Sequence, residues 1–341
     1  MDIYLLDRDF EIVAIVDDYT SLIWRRKYYE CGEFELHCSH MLFETIATKA
    51  RYVYRPDRRE VGIIENYALE YPTAYAKGRF LERVLYNRVI YPAQKIKNDT
   101  HGYAALLLVS GIMQDALSYD LDGGSIGAEL STQVTGDNLM EYTYSLLKQA
   151  EASFYMTCDL STKNITFGVW QGADKRETAI FSQEWDNLKS LTYEYSDKDY
   201  RNYAIVAGQG EGNDRISVTV DKTDGGTRRE LYIDARDLQQ DEDESLNDYK
   251  ARLVQRGIDK LSEYTIVEKC ETEVDVESSL KYMTDFDLGD ICTITENEHG
   301  ISCEKRITEC EEVYENGAFS LSVTFGEGYL IMPKYLKREL K

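Results

Sequence analysis

Phe319-Ser320-Leu321-Ser322-Val323-Thr324-Phe325 alternates apolar and hydroxyl side chains without a break. That period of two is what a strand needs to put one face in a core and the other toward water. Glu33-Phe34-Glu35-Leu36-His37-Cys38 repeats the pattern near the other end of the chain, so the protein reads as β-rich at both ends. Outward from the second stretch, residues 2–91 read as strand after strand, with turns at Asp7-Arg8-Asp9, Asp17-Asp18 and Cys31-Gly32. A long strand over 60–71 is expected to change face at Ile64 or Tyr67, and a short helix is expected over 41–48. After residue 190 strands return at 203–207, 216–220 and 231–235.

The period differs in between. Residues 103–117 read as a buried helix, and Asp137 is the expected N-cap of a second helix to about 150, with Leu139, Thr143, Leu146 and Leu147 on one side. Strands are expected at 154–159 and 165–170. A long helix over 245–264 opens with Ser245 and Asp248 in a capping signature, and its apolar stripe is Leu246, Tyr249, Leu253, Gly257 and Leu261. The layout is a β-block, an α+β insertion, and a second β-block interrupted by a helix, with no residue-level repeat between the blocks.

The chain has 341 residues, 43% of them hydrophobic and 27 of them Tyr, which is core-forming material that a disordered acidic chain lacks. Its 62 Asp and Glu against 39 Lys and Arg give a net charge of −23. Such a balance repels phosphate backbones and anionic lipid. Residues 1–90 are near neutral, so nearly all the excess lies beyond them. The longest apolar run, 104–113, is too short for a bilayer. No basic region followed by an apolar stretch opens the sequence, and seven cysteines lack a CxxC pair, so a protein made and kept in a cytoplasm is expected.

Several motifs invite a chemical reading. Gly208-Gln209-Gly210-Glu211-Gly212 begins like a dinucleotide loop, but position 213 is Asn and a strand follows where the pyrophosphate would need a helix N-terminus. Gly123-Gly124-Ser125-Ile126-Gly127 fits the hydrolase nucleophile elbow, yet the preceding Tyr119-Asp120-Leu121-Asp122 is short and polar where a buried parallel strand is required. Cys292, His299, Cys303 and Cys310 have the wrong spacing for a zinc knuckle. Cys303 and Cys310, an odd number apart, should face opposite ways on one regular strand. The acid clusters Asp241–Glu244 and Asp285–Asp290 lack EF-hand spacing and read as a charged helix entry and a turn into a strand. Among 62 acids no single carboxylate pair stands out for glycoside hydrolysis.

Three stretches stand out as a set. They are Asp18-Tyr19-Thr20-Ser21-Leu22-Ile23-Trp24-Arg25-Arg26 running on through Tyr28-Tyr29-Glu30-Cys31-Gly32-Glu33-Phe34-Glu35-Leu36, then Arg229-Glu230-Leu231-Tyr232-Ile233-Asp234-Ala235-Arg236-Asp237-Leu238, then Asp285–Asp290 before a strand. In that order, over about residues 3–327, they resemble the tail-tip or baseplate-hub proteins of tailed phages and prophages, the Tal-like family of siphophage tail structural proteins. The resemblance implies a β-rich α+β fold, baseplate-hub-like, with two tail-tube-like antiparallel β-barrels and an α+β insertion domain. On this sequence the first barrel falls at 1–95, the insertion domain at 96–188 and the second barrel at 189–234 and 265–327. A helical excursion at 235–264 packs on the insertion domain, where Gly257 allows close approach, and a basic tail at 328–341 carries Lys334, Lys337, Arg338 and Lys341.

The implied function is structural, with no catalytic, metal or cofactor site. A homotrimeric ring adapts a sixfold tail tube to threefold tip components and encloses the channel through which DNA passes. The implied partners are the distal tail or tail-tube protein, the tape-measure protein, and spike or fibre proteins. The implied location is the virion tail, assembled in the host bacterial cytoplasm. Many relatives continue into a C-terminal peptidoglycan or polysaccharide hydrolase. This chain stops soon after its last strand, so lytic activity is expected on another polypeptide. The competing reading is an intracellular hydrolase using Ser125 or a carboxylate pair. A receptor-binding protein would show glycine-rich fibre repeats or an aromatic sugar site, and neither is evident.

Overall fold

The computed structural model describes residues 1–326 except 276, 299 and 316, so His299 and the segment 327–341 with its four basic residues lie outside the described residues. The first block holds β1 (Ile3–Leu6), β2 (Ile12–Val16), β3 (Tyr19–Lys27), β4 (Glu33–Ser39), α1 (Phe43–Thr48), β5 (Tyr52–Tyr54), β6 (Val61–Glu70), β7 (Thr73–Phe80) and α2 (Arg83–Tyr86). The middle holds β8 (Gln94–Thr100), α3 (His101–Met113), β9 (Ser118–Asp120), β10 (Glu129–Val134), α4 (Leu139–Lys148), β11 (Ser153–Asp159) and β12 (Asn164–Trp170). The remainder holds β13 (Ile180–Ser182), β14 (Thr192–Ser196), β15 (Tyr203–Ala207), β16 (Ser217–Asp221), β17 (Glu230–Asp234), α5 (Leu246–Leu261), β18 (Val267–Val274), β19 (Ile291–Glu296), β20 (Ile301–Glu315) and β21 (Ala318–Gly326).

Thirteen strands share one sheet. Its path runs β14-β18-β21-β20-β3-β4-β7-β6-β5-β1-β2, with β19 added on β20 and β13 on β19. Every pair on the path is antiparallel, and among the described residues no pair closes it into a ring. The two β-blocks of the sequence reading are thus joined edge to edge. The join is β3 against β20, with Trp24 opposite Glu312.

The sheet of the first block is buried on two faces. Ile3, Leu5, Leu22, Trp24, Phe34 and Leu36 enclose one core, while Leu6, Val61 and Ile63 turn toward α3, α4, β11 and β12 in another. This explains why Val61 to Ile64 are all buried, as only a strand covered on both sides can be. The register then shifts between Ile64 and Asn66, a bulge at the expected change of face. Helix α3 begins at His101, where the Thr100 side chain accepts the Tyr103 amide. Helix α4 is capped by Asn138, whose side chain accepts the Met140 and Glu141 amides, and not by Asp137, whose carbonyl instead takes the Ile90 amide.

Strands 203–207, 216–220 and 231–235, expected in the second barrel, belong elsewhere. β15 lies between β16, antiparallel, and β17, parallel, in a separate three-stranded sheet. Ala204, Val206, Val220 and Ile233 of that sheet meet Tyr249 and Leu253 of α5 in their own core. Period-two alternation identifies a strand but not the sheet it joins. Gly257 does allow close approach, but to this sheet: a Cβ there would sit 2.6 Å from Val220 Cγ2 and 2.9 Å from Val206 Cγ2. Polar contacts carry α5 onward to the middle segment, with Arg252 donating to Gln133 at 2.7 Å and Gln149 to Asp259 at 3.0 Å. Leu246, expected on the apolar stripe, is 45% exposed, and the Arg252 stem is buried beside Tyr249 and Leu253.

A second bulge, between Ile307 and Glu309, also corrects an expectation. It resets the alternation of β20, so Cys303 and Cys310 face the same core despite their odd separation. No helix among the described residues is long and apolar enough to cross a membrane.

Replacing Gly257 with Val should cost roughly 2 kcal/mol by overpacking against Val206 and Val220. Hydrogen exchange should quicken at β15–β17 and α5 while β3 and β20 keep their protection. Uniform loss of protection across the chain would show that this unit is not a separate core.

Candidate functional site

The join between the blocks has two chemically different faces. On the outer face Arg25 of β3 lies between Glu33 of β4 and Glu311 of β20, and Glu309 is 3.3 Å away. These are half-exposed cross-strand pairs of the kind that stabilise a ladder by a few tenths of a kcal/mol each. The inner face carries Leu22, Trp24 and Arg26 against Cys310 and Glu312, all buried.

Glu312 is fully buried, and five donors converge on it. Arg58 binds both oxygens at 2.8 Å, Arg55 donates to Oε2 at 3.0 Å, and the hydroxyls of Tyr282 and Tyr314 donate at 3.1 Å. Arg55 is as buried as its partner, lies 5.3 Å from the Trp24 ring centroid and 5.1 Å from that of Tyr314, and donates a second time to Asp57 at 2.9 Å. Burial pulls the Arg55 guanidinium down, but Glu312 and Asp57 outweigh it and hold it above its ordinary value. Pro56 and the turn from Asp57 to Glu60 deliver this cluster from the end of β5 to the start of β6.

One strand position along, Arg26 binds Glu60 at 2.8 Å, Asp287 at 2.6 Å and the Tyr282 hydroxyl at 2.9 Å. The Asp285–Asp290 cluster is therefore a latch. Asp287 holds Arg26, and Asp290 accepts the Ala173 and Asp287 amides at 2.8 and 3.0 Å and pairs with Lys175 at 3.2 Å. Gly289 has φ +88°, and a Cβ there would lie 2.5 Å from the Tyr28 ring, so the turn must close over Tyr28 with a glycine. The Tyr28 hydroxyl in turn bonds the Glu151 carbonyl and the Gly172 amide at 3.1 and 3.2 Å, joining the middle segment to the same place. Burial pushes that hydroxyl up to about 12.

Next to the latch, a small cavity is lined by Arg26, Arg59, Glu60, Glu82, Tyr144 and Trp170. Its two buried carboxyls, Glu60 and Glu82, behave oppositely. Burial would raise Glu60, but Arg26 and Arg59 bring it down to about 2. Glu82 is buried, and although it accepts the Met156 amide at 3.2 Å, burial raises it to about 7. Its Oε2 and that of Glu60 have no protein hydrogen-bond partner among the described residues.

The motifs singled out in the sequence lie apart from this joint. Ser125 ends a short turn over Asp122–Ser125 after the three-residue β9, and extended chain follows it instead of a helix. Gly208 to Gly212 connects β15 to β16, with Gly208 packed under the Tyr249 hydroxyl. Cys292 and Cys310 are buried, Cys303 half-buried, and all seven cysteines are free. Among the described residues no three His, Cys, Asp or Glu side chains are grouped as a metal centre requires. Asp241 pairs with Lys95 and Glu244 with Arg252. The segment 229–238 is held by Arg229 on Asp197 at 2.6 Å, and by Arg215 and Arg236 on Asp234. Arg55, Glu60, Glu82 and Glu312 were not found from the sequence. The available signals were the basic run Arg55 to Arg59 in a near-neutral block and Glu312 at an inward strand position.

Residues 2–327 match the model of a family described as Siphovirus ReqiPepy6 Gp37-like protein. The chain belongs to that family. The Gp37-like chain also shares its fold with solved prophage tail proteins. The 43 kDa tail protein of prophage MuSo2 from Shewanella oneidensis is 14% identical with a TM-score of 0.58, over 95% of this chain and 98% of that one. The tail protein from Neisseria meningitidis MC58 is 11% identical with a TM-score of 0.57, over 96% of each chain. Prophage tail protein gp18 from Listeria monocytogenes EGD-e is 11% identical with a TM-score of 0.57, over 100% of this chain and 98% of that one. No curated protein matches. The likeness to these three prophage tail proteins is one of fold.

Two measurements test the joint. Glu312→Gln should lower stability by roughly 3–5 kcal/mol, because it leaves two buried guanidinium groups short of their counter-charge. Urea denaturation followed by tryptophan fluorescence reads this, and a loss below about 1 kcal/mol would refute the account. The second test uses Glu82. Its folded value of about 7 lies above the ordinary 4.5, so its contribution is complete below 4.5 and is lost as pH rises to about 7. Glu82→Gln should remove a fall of roughly 3 kcal/mol across that window and be the more stable form above it. An unchanged pH profile would show that Glu82 is not protonated in the fold.

Proposed function

We propose that this chain is the hub of a phage or phage-like tail tip, three copies forming a ring that joins a sixfold tail tube to threefold components below it. One observation carries the reading: two strand blocks from opposite ends of the chain are fused through β3 and β20 into one sheet, backed by the buried Arg–Glu joint. A subunit that must present two quasi-equivalent surfaces to a sixfold ring needs its two halves fixed rigidly to each other. Each block serves as one tube-like unit, the first over 1–95 and the second over 265–327 with β13 and β14. The middle segment and the β15–β17 unit with α5 form the periphery. The family and the fold shared with prophage tail proteins support the same reading.

The partners are then the tail-tube or distal tail protein on one side and tape-measure and spike or fibre proteins on the other, with no catalysis by the chain itself. DNA passes as cargo. The acidic excess beyond residue 90 suits the channel wall, since scattered carboxylates repel phosphates weakly and uniformly while cations would bind and slow them. The virion tail is the location.

Native mass spectrometry of the chain with its tail-tube partner should give a trimer, and a monomer persisting in that mixture would sink the hub. Particles carrying Ser125→Ala should assemble and deliver DNA normally. Normal assembly with lost delivery would instead revive a hydrolase.

A further inference from the structure

Cys270 of β18 and Cys303 of β20 bring their sulfur atoms to 3.6 Å. The two strands are not backbone-paired there, since β18 bonds β14 and β21 and this half of β20 bonds β19. Their side chains nevertheless meet at two neighbouring points. Two residues along each strand, in opposite directions, Lys305 is ion-paired with Glu268, which also accepts the Tyr193 hydroxyl at 2.9 Å. Cys270 is buried, and Cys303 is partly open at the rim of the core formed by Phe181, Ile294, Ile307 and Phe325. The sulfurs are held facing each other between two strands that share no backbone pairing.

We propose that Cys270 and Cys303 are a latent disulfide, closed by a disulfide oxidant of the glutathione class to staple β18 to the first half of β20. The reaction is two exchanges. The Cys303 thiolate attacks the oxidant's sulfur–sulfur bond, forming a mixed disulfide and expelling one glutathione thiolate. Cys270 then attacks Cys303 Sγ, and the second glutathione leaves with the Cys270 proton. Two protein thiols are oxidised and one oxidant disulfide is reduced to two thiols. The order follows from access, because only Cys303 is open to a reagent. The hydrogen bond from Cys270 holds the Cys303 thiol below its ordinary value, with the Lys305 ammonium acting in the same direction. Closing the bond needs side-chain movement of about 1.5 Å to reach disulfide geometry, within what rotamer adjustment at the rim of a core provides. The staple would tie together two strands that are joined through β21 but share no backbone pairing of their own. This inference does not rest on the proposed function.

The test is to incubate the folded full-length chain with oxidised glutathione, alkylate under denaturing conditions, and map peptides without reduction. The expected result is an intact mass lower by two hydrogens, one cross-linked peptide pair containing Cys270 and Cys303, and the other five cysteines alkylated. The urea midpoint of the oxidised form should rise reversibly on this treatment. Cys270→Ser should stop at a stable glutathione adduct on Cys303, and Glu268→Gln should slow closure severalfold by loosening the neighbouring contact. A persistent glutathione adduct on the unmutated chain, two freely alkylated thiols at 270 and 303, or a cross-link between other cysteines would each overturn the proposal.

Discussion

A carboxylate with no exposure to water is tolerated at Glu312 only because five donors from three separate parts of the chain reach it. Desolvating one such ion costs several kcal/mol, and removing either arginine leaves the charge with one cation fewer and an oxygen short of a donor. Arg55 and Glu312 are 257 residues apart, so the joint cannot form until both ends of the chain are present. Its loop-closure entropy is offset by the cooperative pairing of β3 with β20 along seven residues of each strand.

The rest of the fold radiates from that point. Trp24 stacks its burial on Arg55 and leads into the core of the first block, while Tyr28, just past the end of the same strand, reaches the middle segment through the Gly172 amide and the Glu151 carbonyl. Arg306 closes the circuit from the other side, donating to the Gly289 carbonyl and to Glu151. The first block, the middle segment and the second block therefore meet around Arg26, Tyr28 and Arg306. The β15–β17 unit is attached more lightly, chiefly through polar contacts of α5 and its entry turn, and is the part that can vary or move with least effect on the joint.

Much of the local structure was legible because it obeys short-range rules. The alternation at 33–38 and 319–325, the Ser245 cap and the buried helix before Met113 each follow from side chains within a few positions of one another. What was not legible is non-local or irregular. Nothing in 203–235 distinguishes a strand of the large sheet from a strand of a small one under a helix, and the bulge before Glu309 breaks the parity on which the cysteine reading relied. The charged joint was hidden for another reason. A glutamate on a strand normally faces water, and only its partners at Arg55 and Arg58 make the inward position affordable. The family resemblance had picked out two of the right places, since the stretch ending at Arg26 and the Asp285–Asp290 turn touch through Asp287, but it did not reveal the contact.

Charge at the joint does something that an apolar seam of equal area would not. Strand pairing is tolerant, and two sheet edges can meet in several registers or meet the edges of another copy. If β20 slipped by one residue on β3, Glu312 would turn to the outer face and Val313 would turn inward. Arg55 and Arg58 would then be buried without their carboxylate, at a cost of several kcal/mol. A slip by two would set Cys310 or Tyr314 opposite Trp24 and leave the same guanidinium groups with Asp57 alone. Only the register observed, with Glu312 opposite Trp24, satisfies every donor. The relative position of the two blocks is therefore fixed to a single residue step, about 3.3 Å, because any other step buries a guanidinium away from Glu312.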